Sequence, residues 1–226
     1  MGFPVVKVSV AKTLADSVDS KTTTLTLYQH RFCGGASANS ISPKIWSIPI
    51  QGIYMRDGIS IEKFELLMDK KMCSITLEGF DLSDPSCWLK LNPRLSGFYR
   101  VHYSEELFHN LFNNLSSSHL TSVDRMGLFD DQVAMVQTDS GSTVRLLKMA
   151  QHFSEYEKSY TVWRAVIGII HLIRSLTWEI DEVADLLDNF CQSLLRPFLD
   201  ELGFYPSANE SNNNRQCRSG KNYYHF

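Results

Sequence analysis

The chain has 226 residues, 43% apolar and 21% charged, with a net charge of −3, a composition that suits one large or two ordinary globular domains. Residues 1–110 hold 12 basic against 11 acidic side chains, and residues 111–226 hold 10 against 14. Neither half offers the concentrated basic surface that a phosphate backbone demands, which argues against a nucleic-acid partner.

The first hundred residues read as short strands between turns. "PVVKVSV" is followed by "TTLTLYQHRF", in which Leu25 and Leu27 face alike, and then by "IWSIPIQGIYM", "SIEKFELLM" and "CSITLEGF". "WLKLN" and "GFYRVHY" complete the set; with the turn-forming "NPRLSG" between them they are expected to pair as a hairpin. Breaks fall at "DSVDSK", "CGGASANSISP", "RDG", "DKK" and "DLSDPS". Seven alternating segments at this spacing predict a β-sandwich. Pro49 lacks an amide proton, so its strand-like run is expected to be an edge or to carry a bulge.

At Ser104 the period changes from 2 to 3.6. Helices are predicted over 105–115, 122–137, 143–155, 161–176 and 180–202. Ser104 stands before two acidic residues as an N-cap, and Thr121 stands three residues before Asp124 in a near capping box. Leu107, Leu111 and Leu115 form a stripe whose expected partners are Met126, Phe129, Val133 and Val136. Successive amphipathic helices joined by short loops suggest stacked antiparallel pairs. After Pro206 the text turns polar and is expected to pack poorly.

The cysteines at 33, 73, 87, 191 and 217 form no CxxC pair and are read as reduced, buried thiols. "VWRAVIGIIHLI" is interrupted by Arg164 and His171 and is too short to span a bilayer. The N-terminus lacks a basic region followed by an apolar core. The expected location is the cytoplasm.

Catalytic chemistry is hard to find. No two of the seven histidines are four residues apart, so the HExxH pattern of hydrolytic zinc sites is absent. His171 lies in an apolar run and reads as a core or helix-interface residue. Glu105 and Glu106 suit a helix dipole; Asp130 and Asp131 read as a solvated face or a salt bridge. The "CGG" stretch at Cys33 is a loop without a phosphate-binding pattern, and Cys33 reads as a packed thiol. The sequence therefore nominates no catalytic, cofactor-binding or metal-ligating residue.

A set of motifs does carry a resemblance. "GFPVVKV", "LTLYQHRFCGG", "WSIPI", "WLKLN", "GFYRVHYS", "VDRMGLFDDQVAMVQ", "LLKM" and "EYEKSYTVW" resemble, in this order, the third and fourth domains of the four-domain zinc aminopeptidases. "RFCGG" and "MGFP" point to the puromycin-sensitive, or cytosolic alanyl, type. The resemblance implies an α+β chain by domains: a β-sandwich over 1–103 and the start of a helical, solenoid-like (HEAT-type) domain over 104–206; the polar composition of 207–226 makes a disordered or aberrant tail the expectation there. In that family HExxH with a downstream Glu binds zinc, and GxMxN and a Tyr complete the site. None has a counterpart here, and Tyr99 and Tyr103 belong to the strand motif.

The resemblance thus implies a non-catalytic C-terminal fragment of a zinc aminopeptidase, with zinc in the parent enzyme only. Its expected partners are the parent's catalytic domains, and peptides in a helical concavity. The alternative is a stand-alone interaction module that binds peptides or the parent. Met1 stands where relatives have an internal Met, and "GKNYYHF" departs from the family, so both ends are expected to be products of gene structure or splicing.

Overall fold

Two sheets carry the N-terminal part of the chain. The computed structural model describes residues 2–11, 22–32, 44–138, 140–203, 205–206 and 210–220; Cys33 with its Gly-Gly neighbours, and the "GKNYYHF" ending beyond Gly220, lie outside them. The strands are β1 (Pro4–Val10), β2 (Thr22–Arg31), β3 (Ile48–Arg56), β4 (Ser60–Met68), β5 (Met72–Glu78), β6 (Leu89–Leu91) and β7 (Arg100–Tyr103). The first sheet has the order β5-β2-β1-β7 and the second β4-β3-β6. All pairings are antiparallel except β1 with β7.

Alternation along the strands selects the buried face. Val6 and Val8 on β1, Leu25 and Leu27 on β2, and Ile48 and Ile50 on β3 are all buried, each pair two residues apart as the pleat requires. Asp57 and Gly58 take φ of 49° and 66°, which an Asp-Gly pair tolerates, and so β3 turns back into β4. Pro49 lies in the part of β3 that pairs with β4; β6 joins β3 only over Gly52–Tyr54. Its missing amide therefore sits beyond the three-stranded part of the sheet. Gln29, buried on β2, donates from Nε2 to the carbonyls of Trp46 and Lys70 and accepts from the Trp46 amide, binding the entry of β3 and the β4–β5 turn to the first sheet.

The expected hairpin between "WLKLN" and "GFYRVHY" does not form. β6 pairs with β3 and β7 pairs with β1, in different sheets. The reason is the turn between them: Asn92, Arg94 and Leu95 all have φ near 55°, a left-handed backbone that sends the chain across instead of back.

Four elements follow Tyr103 in close succession. Helix α1 (Glu105–Asn113) and helix α2 (Ser122–Val136) belong to the same compact unit as the sheets, Met1–Ser142; helices α3 (Thr143–Phe153) and α4 (Tyr160–Leu176) open the next. The sequence boundary at 103/104 marks a change of secondary structure inside the first unit. Glu105 and Glu106 occupy the first turn of α1. Ser104 stands at the N-cap but makes no capping bond; its amide donates to the Val8 carbonyl at 2.9 Å. Thr121 and Asp124 form a complete capping box on α2. Helix α1 packs on β6 and β7, and Asn110 donates to the carbonyls of Leu82, Asp84 and Cys87. Leu107, Leu111 and Leu115 are all buried. Of the positions expected to cover this stripe, Phe129 is buried, while Met126, Val133 and Val136 are only part-buried.

The second unit, Thr143–Phe226, adds α5 (Asp181–Leu202) and α6 (Asn212–Gly220) to α3 and α4. Helix α4 buries Val162, Trp163, Val166, Ile167 and Ile170, the i, i+3, i+4 stripe of an amphipathic helix. His171 is one residue further round and exposed, so the expectation of a core or interface histidine is corrected. Glu157, buried before α4, accepts the amides of Lys158 and Ser159. Composition also misled over the tail. Arg218 on α6 donates to the Leu202 and Gly203 carbonyls and to the Glu210 carboxylate, and Asn213 bonds the backbone of Tyr160 and Lys158. Residues 212–220 form a helix whose anchors are polar side chains, which hydropathy counts against packing.

Candidate functional site

The polar groups of the first unit concentrate where β6, β7 and α2 meet. Asn92 leaves β6 in the left-handed region, and its side chain closes the turn: Oδ1 accepts the Gly97 amide at 2.7 Å, and Nδ2 donates to the carbonyls of Gly97 and Tyr99 at 2.9 and 3.0 Å. Asn is the residue type that tolerates this backbone while offering both a donor and an acceptor. The Arg94 amide then donates to Asp124 Oδ1 at 2.6 Å, so one carboxylate both caps α2 and holds the turn.

Lys90 and Asp131 lie beneath this turn, 2% and 5% exposed. Lys90 Nζ donates to the carbonyls of Leu91 and Asn92 at 2.5 and 3.3 Å; burial lowers its pKa, while Asp131 and Asp124 act to raise it. Asp131 Oδ2 accepts the Val101 amide at 3.1 Å, and Oδ1 faces Arg100 Nη1 at 3.3 Å. Burial pushes its carboxyl up to about 7 against the pull of Lys90, the Val101 amide and Arg100. Arg100 also donates to the Asp130 carbonyl and lies over the Phe3 ring. Asp130 is less buried, and its pKa too is raised by desolvation, with Arg100 opposing.

Two tyrosines frame the cluster. Tyr103 accepts the Leu91 amide at 2.8 Å, and burial holds its hydroxyl well above the usual range. Tyr99 is pushed up to about 12 for the same reason. An adjacent cavity of about 280 Å³ is lined by Phe3, Phe98, Tyr99, Arg100, Asp130 and Asp131, among others. A carboxylic acid titrating near neutrality beside a cavity is one signature of acid–base chemistry. Here its oxygens are engaged by the Val101 amide and by Arg100, and Lys90 is engaged by carbonyls. The arrangement acts as an electrostatic clamp between α2 and the two sheets.

Sequence reading missed most of this cluster. Asp131 is a buried salt-bridge partner, one of the two readings open for it, and no part of a solvated face. Lys90 went unseen because "WLKLN" alternates; its polar positions read as solvent-facing, whereas β6 is buried on both faces. Asn-Pro after that strand was the usable signal, since Asn at a break is the commonest non-glycine route into the left-handed region. The zinc that the resemblance assigns to the parent enzyme finds no fit here: among the described residues no group of three or more His, Cys, Asp or Glu could hold a metal ion. No helix among them is long and apolar enough to cross a membrane.

The profile of the ERAP1-like C-terminal domain matches residues 88–221, from the strand that carries Lys90 to the anchored helix α6. The chain belongs to the ERAP1-like C-terminal domain family. Its homologues are aminopeptidases. It is 30% identical to puromycin-sensitive aminopeptidase of Caenorhabditis elegans over 97% of its own length and 22% of that protein. It is also 30% identical to aminopeptidase M1 of Arabidopsis thaliana, over 93% of the chain and 23% of the relative. Glutamyl aminopeptidase of Bos taurus is 28% identical over 90% and 20%. The chain spans about a fifth of the length of these curated relatives. The ERAP1-like match covers the helices and the residues of the α2 clamp, and the alignments to the aminopeptidases extend over the sheets as well.

Proposed function

We propose that this chain is a non-catalytic part of a puromycin-sensitive-type zinc metalloaminopeptidase, forming structural and substrate-cavity surface for an active site carried elsewhere in the enzyme. One observation carries the reading: nearly the whole chain aligns with a fifth of an aminopeptidase, while the HExxH and GxMxN patterns are absent from its sequence. In this reading the two sheets pack as a β-sandwich, and α3–α6 begin a HEAT-type helical array whose concave face meets peptide. The partners are the catalytic domains of the parent enzyme, and the location is the cytoplasm. The clamp at Lys90 and Asp131 would then hold α2 against the sheets, which is a positioning task rather than a chemical one.

A second reading, a stand-alone module that binds peptides or the parent enzyme, draws support from the exposed apolar side chains of Leu176, Trp178 and Leu186 in the second unit.

A graft separates the two. The chain replaces its aligned fifth of the nematode puromycin-sensitive aminopeptidase, and hydrolysis of aminoacyl-aminomethylcoumarins is measured for the chimera and for the free chain. The proposal expects an active chimera and an inactive free chain. Chelator-sensitive turnover by the free chain would overturn it. A well-folded free chain that yields only inactive chimeras would favour the stand-alone module.

A further inference from the structure

The second sheet ends in a long edge strand, β4. β4 pairs with β3 residue for residue over Ser60–Met68, without a bulge, and among the described residues no strand lies on its other side. Such an edge presents backbone amides and carbonyls, and proteins blunt it with proline, bulges, short length or charged side chains when pairing must be avoided. β4 has no proline, bulge or shortening; it carries charges of both signs, Glu62, Lys63 and Glu65, so what its edge can pair with depends on how those charges meet. It also exposes Leu67 to 64%, with Lys63 and Glu65 exposed beside it.

The order of side chains along this edge is self-complementary. Directly paired residues of two antiparallel strands lie on the same sheet face. Placing a two-fold axis at Phe64 sets Lys63 opposite Glu65 of a second copy and Glu65 opposite its Lys63. On the same solvent face Ile61 then meets Leu67, twice. On the other face Phe64 meets Phe64, and Glu62, which keeps Arg56 as its ionic partner at 3.9 Å, lies against Leu66. Sliding the strands by one pleat in either direction brings Lys63 onto Lys63 or Glu65 onto Glu65. Like charges directly opposite are destabilising and opposite charges favourable, so the charges select a single register.

We propose that β4 is a homotypic interaction surface at which two copies of this chain pair edge to edge, in antiparallel register about Phe64, to make one continuous sheet β6-β3-β4-β4-β3-β6. The interface is isologous and closes as a dimer, leaving no second copy of the edge to propagate a filament. This inference is independent of the aminopeptidase reading.

The test is a charge swap read by sedimentation of the full chain over a range of concentrations. Wild type is expected to dimerise, and more weakly at high salt, because the deciding pairs are exposed. Lys63→Glu or Glu65→Lys alone places like charges opposite each other twice per dimer and is expected to weaken dissociation constants by about tenfold or more. The double variant Lys63→Glu/Glu65→Lys restores both pairs and is expected to recover the dimer. Lys63→Gln and Glu65→Gln, which remove attraction without adding repulsion, should have smaller effects, with circular dichroism confirming the fold of each variant. A wild type that stays monomeric, a dimer indifferent to the single reversals, or a double variant no better than the singles would overturn the proposal.

Discussion

The backbone amide of Leu91 donates to the phenolic oxygen of Tyr103 at 2.8 Å, across the gap between β6 in one sheet and β7 in the other. Both residues are buried, so no bulk water can replace the lost acceptor. Tyr103→Phe keeps the ring and leaves the amide unpaired, an expected cost of about 1–3 kcal/mol. The midpoint of urea unfolding should fall while its denaturant slope stays constant. An unchanged midpoint would mean that the bond contributes nothing to joining the sheets.

Asn92 combines φ of 53° with three side-chain bonds. Two substitutions separate these contributions. Asn92→Gly retains access to the left-handed region and loses the bonds, at an expected cost of about 1–3 kcal/mol; Asn92→Ala should cost about 1 kcal/mol more, for the Cβ. Equal losses in chemical denaturation would show that backbone conformation does not matter at this turn.

Asp131 gives the fold a pH dependence of definite sign. Its folded carboxyl titrates at about 7, above the ordinary value of about 3.9 in the unfolded chain. Between these values the folded state holds a proton that the unfolded state has released. Stability from this residue therefore rises as pH falls from about 7 to about 4, by about 1.4 kcal/mol per unit in mid-window, and is lost as pH rises through 7. Asp131→Asn should remove that slope, so the difference in unfolding free energy between variant and wild type should vary with pH across the window. A constant difference would show that Asp131 remains ionised throughout.

Arg218 is the anchor of α6. Its bonds to Leu202, Gly203 and Glu210 hold the helix whose Cys217 is 3% exposed, with a thiol raised by burial to about 11. Arg218→Ala leaves Glu210 unpaired and should free the helix. One additional thiol should then react readily with an aromatic disulfide, and that gain should vanish in Arg218→Ala/Cys217→Ser. Unchanged thiol reactivity would show that α6 stays docked without the guanidinium.

The helices were legible because each signal is local. Capping at Thr121, acidic residues at 105 and 106, and apolar stripes every three or four residues act within a few positions of themselves, and five helices lie close to their predicted bounds. The strands were legible for the same reason: β1 and β4 coincide with the alternating segments read from the sequence. The motifs that resemble aminopeptidases are local strings as well, and they carried the family.

What the sequence alone could not decide was pairing and burial. An alternating segment states which residues share a face but not which strand lies beside it, so "WLKLN" and "GFYRVHY" looked like neighbours until the left-handed residues at 92, 94 and 95 sent them to different sheets. A lysine between two leucines has the same local pattern whether its other face meets water or protein. Only the packing of α2 and the turn over β6 made Lys90 a buried amine whose pKa is lowered and Asp131 a carboxyl titrating near neutrality, because desolvation depends on every element that closes around a charge and not on its neighbours in the chain.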